Sequence, residues 1–265
     1  MNKDYKTEYD YLKFTDDFMF CKILENNPDV CKELLEVILG IKIRKIERIS
    51  KQKEIKVKSD GKGVRFDVYL EDADNTVFDI EMQTTKKTDL PKRARYYQGM
   101  IDMDLIQKRC KYKELKRSYV IFICTQDPFD LKLPIYHFEN ICIENTDLLL
   151  KDDTEKIFIN SKGVRENISK DMEAFLDYLE GKDGTSHLVE RLQKEVENAR
   201  HQEEWRHEYM TLAEKYEEYF EAGKISTALT FVKRGRLSIE EVAAEFDISI
   251  EELQKKLAEE ELNDE

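Results

Sequence analysis

The chain has 265 residues, 38% charged and 40% hydrophobic, with a formal net charge of -13 at pH 7. That length holds one domain with an adequate core plus a smaller appendage. The charge excludes indiscriminate adhesion to DNA, and the absence of any run of about twenty apolar residues excludes a membrane-spanning helix.

Residues 1–17 are polar and charged throughout and do not resemble a signal peptide, so a cytoplasmic location is expected. Residues 1–13 show no clear period. From Thr15 the pattern turns helical, with Thr15 or Asp16 as N-cap and Phe18, Cys21, Ile23 and Leu24 apolar. Pro28 opens a second helix with a wide apolar face, and Gly40 ends it. Ile41 to Ile49 alternates apolar and charged residues, as an edge strand or extended connection does, and a basic loop follows at 50–62.

Val64 to Gln83 reads as two alternating runs around a turn-rich centre of Glu71, Asp72, Asp74 and Asn75, the pattern of a β-hairpin. If facing positions sum to 148, Phe66 meets Met82, Val68 meets Ile80 and Leu70 meets Phe78, an all-apolar face. On the other face Arg65 meets Gln83, Tyr69 meets Asp79 and Asp67 meets Glu81. Opposed residues have Cβ atoms roughly 4.5 to 5.5 Å apart, where two carboxylates repel unless something cationic sits between them. A hard divalent cation completing its shell with water and phosphate satisfies that need, which points to phosphodiester cleavage. A solvated face neutralised by Arg65, Lys86 or Lys87 accounts for the same spacing.

After a polar loop, Pro91 starts an amphipathic helix over 91–109, with Ala94, Tyr97, Met100, Ile101 and Leu105 on one stripe. Arg93 and Tyr97, four apart, share a face near its start. Ser118 to Thr125 has the length and composition of a strand buried on both sides, and further strands are expected at 134–144 and 155–160. His137 in P-I-Y-H-F fits a hydrogen-bonded strand residue better than a ligand. Asp171 to Leu179 is a helix, and Gly181 to Gly184 breaks the chain. The elements make an α/β fold: a mixed sheet with helices on it.

These segments together resemble the PD-(D/E)XK nuclease family transposases, also called recombination-promoting nucleases. The resemblance runs from about Phe14 to Leu179 and rests on T-D-D-F-M-F-C-K-I-L, F-D-V-Y…F-D-I-E-M-Q, R-A-R-Y-Y-Q-G-M-I-D and S-Y-V-I-F-I-C…P-I-Y-H-F. It implies a restriction-endonuclease-like core and a DNA endonuclease using Mg²⁺ or Mn²⁺. Asp67 and Glu81 are then metal ligands, the residue-82 carbonyl completes the site, and D-F-M-F puts Asp17, with Asp16 adjacent, at the acid of the first helix. Gln83 stands where the wider family has Lys, as in this branch, and the face carrying Arg93 and Tyr97 looks toward the site. Glutamine hydrogen-bonds but carries no charge, so either Arg93 replaces the missing cation, or the reaction is slow, or catalysis has been lost. The alternative is a catalytically silent nuclease fold serving as a DNA-binding or protein-assembly module.

Basic residues cluster at Lys51, Lys53, Lys56, Lys58, Lys62 and Arg65, at Lys86, Lys87, Lys92, Arg93 and Arg95, and from Lys108 to Arg117. They flank the site in sequence, as a phosphate-capturing rim does, though ordinary surface lysines give the same pattern. The five cysteines, at 21, 31, 110, 124 and 142, form no C-x-x-C pair and read as buried reduced thiols.

Three regions are expected: a nuclease-like domain at 1–180, a long charged helix at 185–222 suited to homodimerisation, and a helix-turn-helix-like hairpin at 223–265. His201, Glu204 and His207 fall at helical spacings but lack H-E-x-x-H and read as a solvated face. From Leu237 onward there are eleven acids against two lysines, so the last hairpin suits protein contact better than DNA reading or transcriptional control.

Overall fold

The computed structural model describes residues 5–51, 53–56, 63–106, 110–235 and 237–263. Lys58, Lys62, Lys108 and Arg109 of the basic clusters lie outside the described residues, as does the side chain of Lys51. Helices α1 (Tyr5–Asp10), α2 (Asp17–Asn26) and α3 (Pro28–Leu39) come first. Strands β1 (Ile46–Lys51), β2 (Glu54–Ile55), β3 (Val64–Arg65), β4 (Val68–Asp72) and β5 (Val77–Gln83) lead to α4 (Leu90–Leu105). Next come β6 (Ser118–Cys124), β7 (Ile135–Phe138), β8 (Ile141–Cys142), β9 (Asn145–Leu149) and β10 (Thr154–Asn160). The remaining helices are α5 (Lys170–Leu179), α6 (His187–Arg200), α7 (Glu203–Lys233), α8 (Ile239–Phe246) and α9 (Ile250–Asn263). They form two compact units, Tyr11–Gln202 and the N-terminal residues together with everything from Glu203.

The first unit is built on a mixed six-stranded sheet of order β1-β4-β5-β6-β10-β7. The β5–β6 and β6–β10 pairs are parallel and the rest antiparallel, which confirms the α/β class. All of β6 is buried, as its continuous apolar run requires. Helix α4 packs against β6, while α2 and α3 meet β1, and α2 also meets β4. Pro28 occupies the first turn of α3, and Gly40 closes it at φ 66°, a left-handed conformation that glycine adopts without strain. Ser169 caps α5 by accepting the Met172 amide.

Two expectations about strands are corrected. The hairpin register holds from Val68↔Ile80 through Tyr69↔Asp79 and Leu70↔Phe78 to Glu71↔Val77, but it does not extend back to Phe66. Val64–Arg65 instead pairs with Glu54–Ile55, and the Phe66 amide donates to the Lys53 carbonyl at 3.0 Å. Phe66 therefore packs against Tyr69 and Tyr97, on the α4 side, and not in a row with Val68 and Leu70. The single strand expected at 134–144 is divided into β7 and β8, and β8 pairs with β9 in a separate two-stranded sheet. His137 is a strand residue whose Nε2 lies 2.7 Å from Glu155.

Cys21, Cys31 and Cys124 are buried free thiols, whereas Cys110 is exposed and Cys142 intermediate, so burial does not extend to all five. The polar neighbours of Cys110, Lys111 and Tyr112 among them, give it no apolar element to enter. In the second unit α1 packs on α7, with Tyr9 buried 5.7 Å from the Tyr209 ring. The end of α7 supplies Ala228 and Leu229 to a core completed by Val242, Ala243, Ile248 and Leu253 of the last hairpin. A full capping box of Ser238 with Glu241 starts α8, and Asp247 at φ 49° turns the chain toward α9.

Gly163 lies where β10's exit crosses Pro134, and a Cβ there would sit 2.4 Å from Pro134 Cα. The atoms it would meet, from Leu133 and Pro134, are all backbone and cannot rotate away, so Gly163→Ala should cost about 1–3 kcal/mol of unfolding free energy. Urea titration checks this, and a wild-type midpoint for the variant would reject the contact.

Candidate active site

The break just before Val68, where β4 begins, creates the site. Where the ladder stops, backbone N–H groups lose their strand partners and must find other acceptors. Two carboxylates take that place. The Asp67 amide donates to Glu81 Oε1 at 2.9 Å, and the Met82 amide donates to Asp67 Oδ2 at 3.1 Å. Each acid thus caps the other strand's backbone, which fixes both carboxylates without a regular hairpin pair between them.

Glu81 is fully buried, and Arg93 of α4 reaches it with Nη2 2.6 Å from Oε2. The same guanidinium donates from Nη1 to Gln83 Oε1 and from Nε to Tyr97 Oη, each at 2.9 Å. Gln83 is held from its other end, because Nε2 donates to the Thr85 carbonyl at 2.7 Å. The five residues Asp67, Glu81, Gln83, Arg93 and Tyr97 therefore form one connected network. Although burial opposes its charge, Glu81 and the Tyr97 hydroxyl hold the Arg93 pKa above its ordinary value.

Asp17 lies at the N-terminus of α2, with 59% of its side chain exposed. Its carboxylate, the Cys21 thiol and the Asp67 carboxylate offer ligand atoms that all lie within 4.8 Å of one another. Asp16, its neighbour, accepts the Lys13 amide instead. Two hard oxygen donors from separate elements, with Glu81 joined to Asp67 through its amide, are a donor set that fits a divalent cation.

Two participants carry signals that motif spacing passes over. Cys21 is one helical turn beyond Asp17, so the two share a face. Asp79 sits two residues before Glu81, hence on the same sheet face, and is fully buried with no hydrogen-bond donor at either oxygen. Burial and the Glu81 charge hold Asp79 well above the ordinary carboxylate range. Burial raises Glu81 too, but the Asp67 amide and Arg93 oppose that shift. Of the pair, Asp79 is thus the one pushed further from the ordinary carboxylate range.

Of the basic clusters, several described members are already paired: Lys53 with Asp104, Lys86 with Asp130 and Lys116 with Glu71. Arg65 Nη2 lies 4.0 Å from Asp17.

A family model described as PD-(D/E)XK nuclease family transposase matches residues 14–227. No curated protein and no solved structure matches the chain.

Burial, then the Glu81 charge, pushes Asp67 from 3.8 up to about 8. A folded value above the unfolded one means that the native state keeps a proton that the unfolded chain releases near pH 4. Stability from this group is full below that pH and is lost as pH rises toward 8. In the presence of chelator, Asp67→Asn should remove this slope: melting matches wild type near pH 4 and exceeds it at pH 8, by about 2–4 °C per kcal/mol recovered. Parallel wild-type and variant curves across that range would reject a protonated Asp67.

Proposed function

The chain belongs to the PD-(D/E)XK nuclease family transposases, and from that premise we propose that it is a metal-dependent DNA endonuclease of the mobile-element or recombination-promoting type. The observation that carries the proposal is the clasp of Asp67 and Glu81 across the strand break, with the Arg93 guanidinium bonded to both Glu81 and Gln83. Asp67, Glu81 and Asp17 are the residues that would hold Mg²⁺ or Mn²⁺. When bound, such an ion lowers the pKa of water and neutralises charge on the phosphate oxygens.

The remaining work falls to side chains. The backbone amides of Asp67 and Met82 orient the two acids, so the donor set is organised before any ligand arrives. Gln83 cannot supply charge, and its amide is committed at both ends to Thr85 and Arg93. Arg93 brings a permanent cation to the position the wider family fills with Lys. Tyr97 fixes the guanidinium plane through Nε. Together they place positive charge beside the acids without a titratable amine.

The substrate proposed is DNA. A nuclease-like domain over 1–180, a dimerising charged stretch within 185–222, which is not the one helix expected but α6 and the first part of α7, and a protein-contact hairpin at 223–265 complete the proposed organisation, in a cytoplasmic protein. No helix among the described residues is long and apolar enough to cross a membrane. One observation favours the silent-module reading: both Glu81 oxygens already have donors, so the acid is satisfied without a metal.

Cleavage of supercoiled plasmid with Mg²⁺ and Mn²⁺ separates the two readings. The endonuclease nicks or linearises the plasmid, and Asp67→Asn and Glu81→Gln each reduce the rate by about 10² or more. A folded wild type that leaves single- and double-stranded substrates intact would establish the silent module.

Arg93 gives a second test. Arg93→Ala should lose cleavage and about 1–3 kcal/mol of stability, because Glu81 keeps a buried oxygen without its donor. Gln83→Lys should bring no gain, since it sets a second cation against Arg93; faster turnover by that variant would show that Arg93 does not supply the missing charge.

A further inference from the structure

A second polar cavity, of about 270 Å³, opens on the same face of the sheet at its β1 edge. It is made by register. Ser50 of β1 is aligned with Tyr69 of β4, and Arg48 with Glu71, so all four side chains stand on one face. Tyr69 is in turn aligned with Asp79, which places this cavity on the Asp79 and Glu81 side of the sheet. Lys53, Lys116 and Asp104 complete its polar wall.

The charges do not cancel. Lys53 pairs with Asp104, and Lys116 pairs with Glu71. Arg48 has no carboxylate partner among the described residues, and it leaves the cavity with one net positive charge. The Lys53 ammonium also lies over the Tyr69 ring, 4.1 Å from its centroid, which holds that cation at the wall.

The second observation is independent of charge. Tyr69 is only 5% exposed, and its hydroxyl oxygen is buried without a hydrogen-bond partner among the described residues. A buried donor left unmet costs the folded protein its full desolvation penalty, so such a group calls for an acceptor. A guanidinium without a carboxylate partner, a serine and an orphan phenol all line this one cavity, a donor set that suits an oxyanion.

We propose that this cavity is a phosphate-binding subsite, with Arg48 as its charge and Tyr69 and Ser50 as its neutral donors. Two strands at about 4.8 Å and two residues at about 3.3 Å separate it from the Glu81 position, roughly 12 Å in all. Assigning the phosphate to bound DNA rests on the endonuclease reading; the cavity's preference for a phosphate group does not.

The test uses the full chain in chelator, so that cleavage plays no part. Binding of a labelled short duplex is followed by anisotropy across a salt series, for wild type, Arg48→Ala and Tyr69→Phe, and melting is recorded with and without inorganic phosphate. Arg48→Ala should weaken duplex binding about three- to tenfold and lower the salt slope by about one, while Tyr69→Phe weakens it with the slope unchanged. Phosphate should raise the wild-type melting temperature and have a smaller effect on both variants.

Loss of the phosphate effect with unaltered duplex binding supports the subsite and identifies a free phosphate compound as its ligand. Wild-type behaviour of both variants in both assays overturns it. Should Arg48→Ala fail to fold, Tyr69→Phe, which removes one oxygen, decides alone. Absence of plasmid cleavage would refute the endonuclease and leave these binding results standing.

Discussion

Removing a carboxylate from water is tolerated only where hydrogen bonds and countercharge meet it, and Glu81 is where this protein faces that cost. Its oxygens receive one backbone amide and one guanidinium. The amide is available because β4 begins at Val68 and leaves Asp67 outside the ladder. The guanidinium is available because α4 lies across β6 and turns Arg93 inward. Strand break and helix placement are thus both bound up with one buried acid.

Asp79 shows what happens without such provisions. It stands one step along the same strand face, aligned with Tyr69 on one side and Val120 on the other, and no donor among the described residues reaches it. A carboxyl in those surroundings stays neutral. Burial thus raises both acids of this strand, and the neighbouring elements decide that only Glu81 receives donors that oppose the shift. The overall charge of -13 says nothing of this, because the acids that matter are few and mostly hidden.

Much of the first unit was legible in sequence. Alternation in F-D-V-Y and V-F-D-I-E-M-Q determines the β4–β5 register, because a one-residue slip would exchange buried and polar faces. Pro28 and Gly40 mark α3 by backbone chemistry alone, and S-Y-V-I-F-I-C could bury itself only at the centre of a sheet. What was not legible depends on distant partners. Phe66 fits the alternation, yet β3 leaves to pair with β2, a choice set by Lys53 and Ile55 and not by local pattern. The β8–β9 hairpin interrupts an apparently continuous strand, and the solvent-facing sides of β9 offer no periodic signal. For the site, acid spacing pointed to Asp67 and Glu81, but the orphaned oxygens of Asp79 follow from packing that only the folded chain contains.

The origin of Arg93 on a helix, and not on the strand that bears the acids, has a consequence for biosynthesis. The chain through Gln83 carries both acids of the clasp before α4 has been made. Its cation arrives only when α4 docks on β6, a strand ending at Cys124. A nascent or proteolytically shortened chain therefore possesses the acids but not the charge, and the complete electrostatic arrangement exists only in a protein whose sheet and covering helix have assembled.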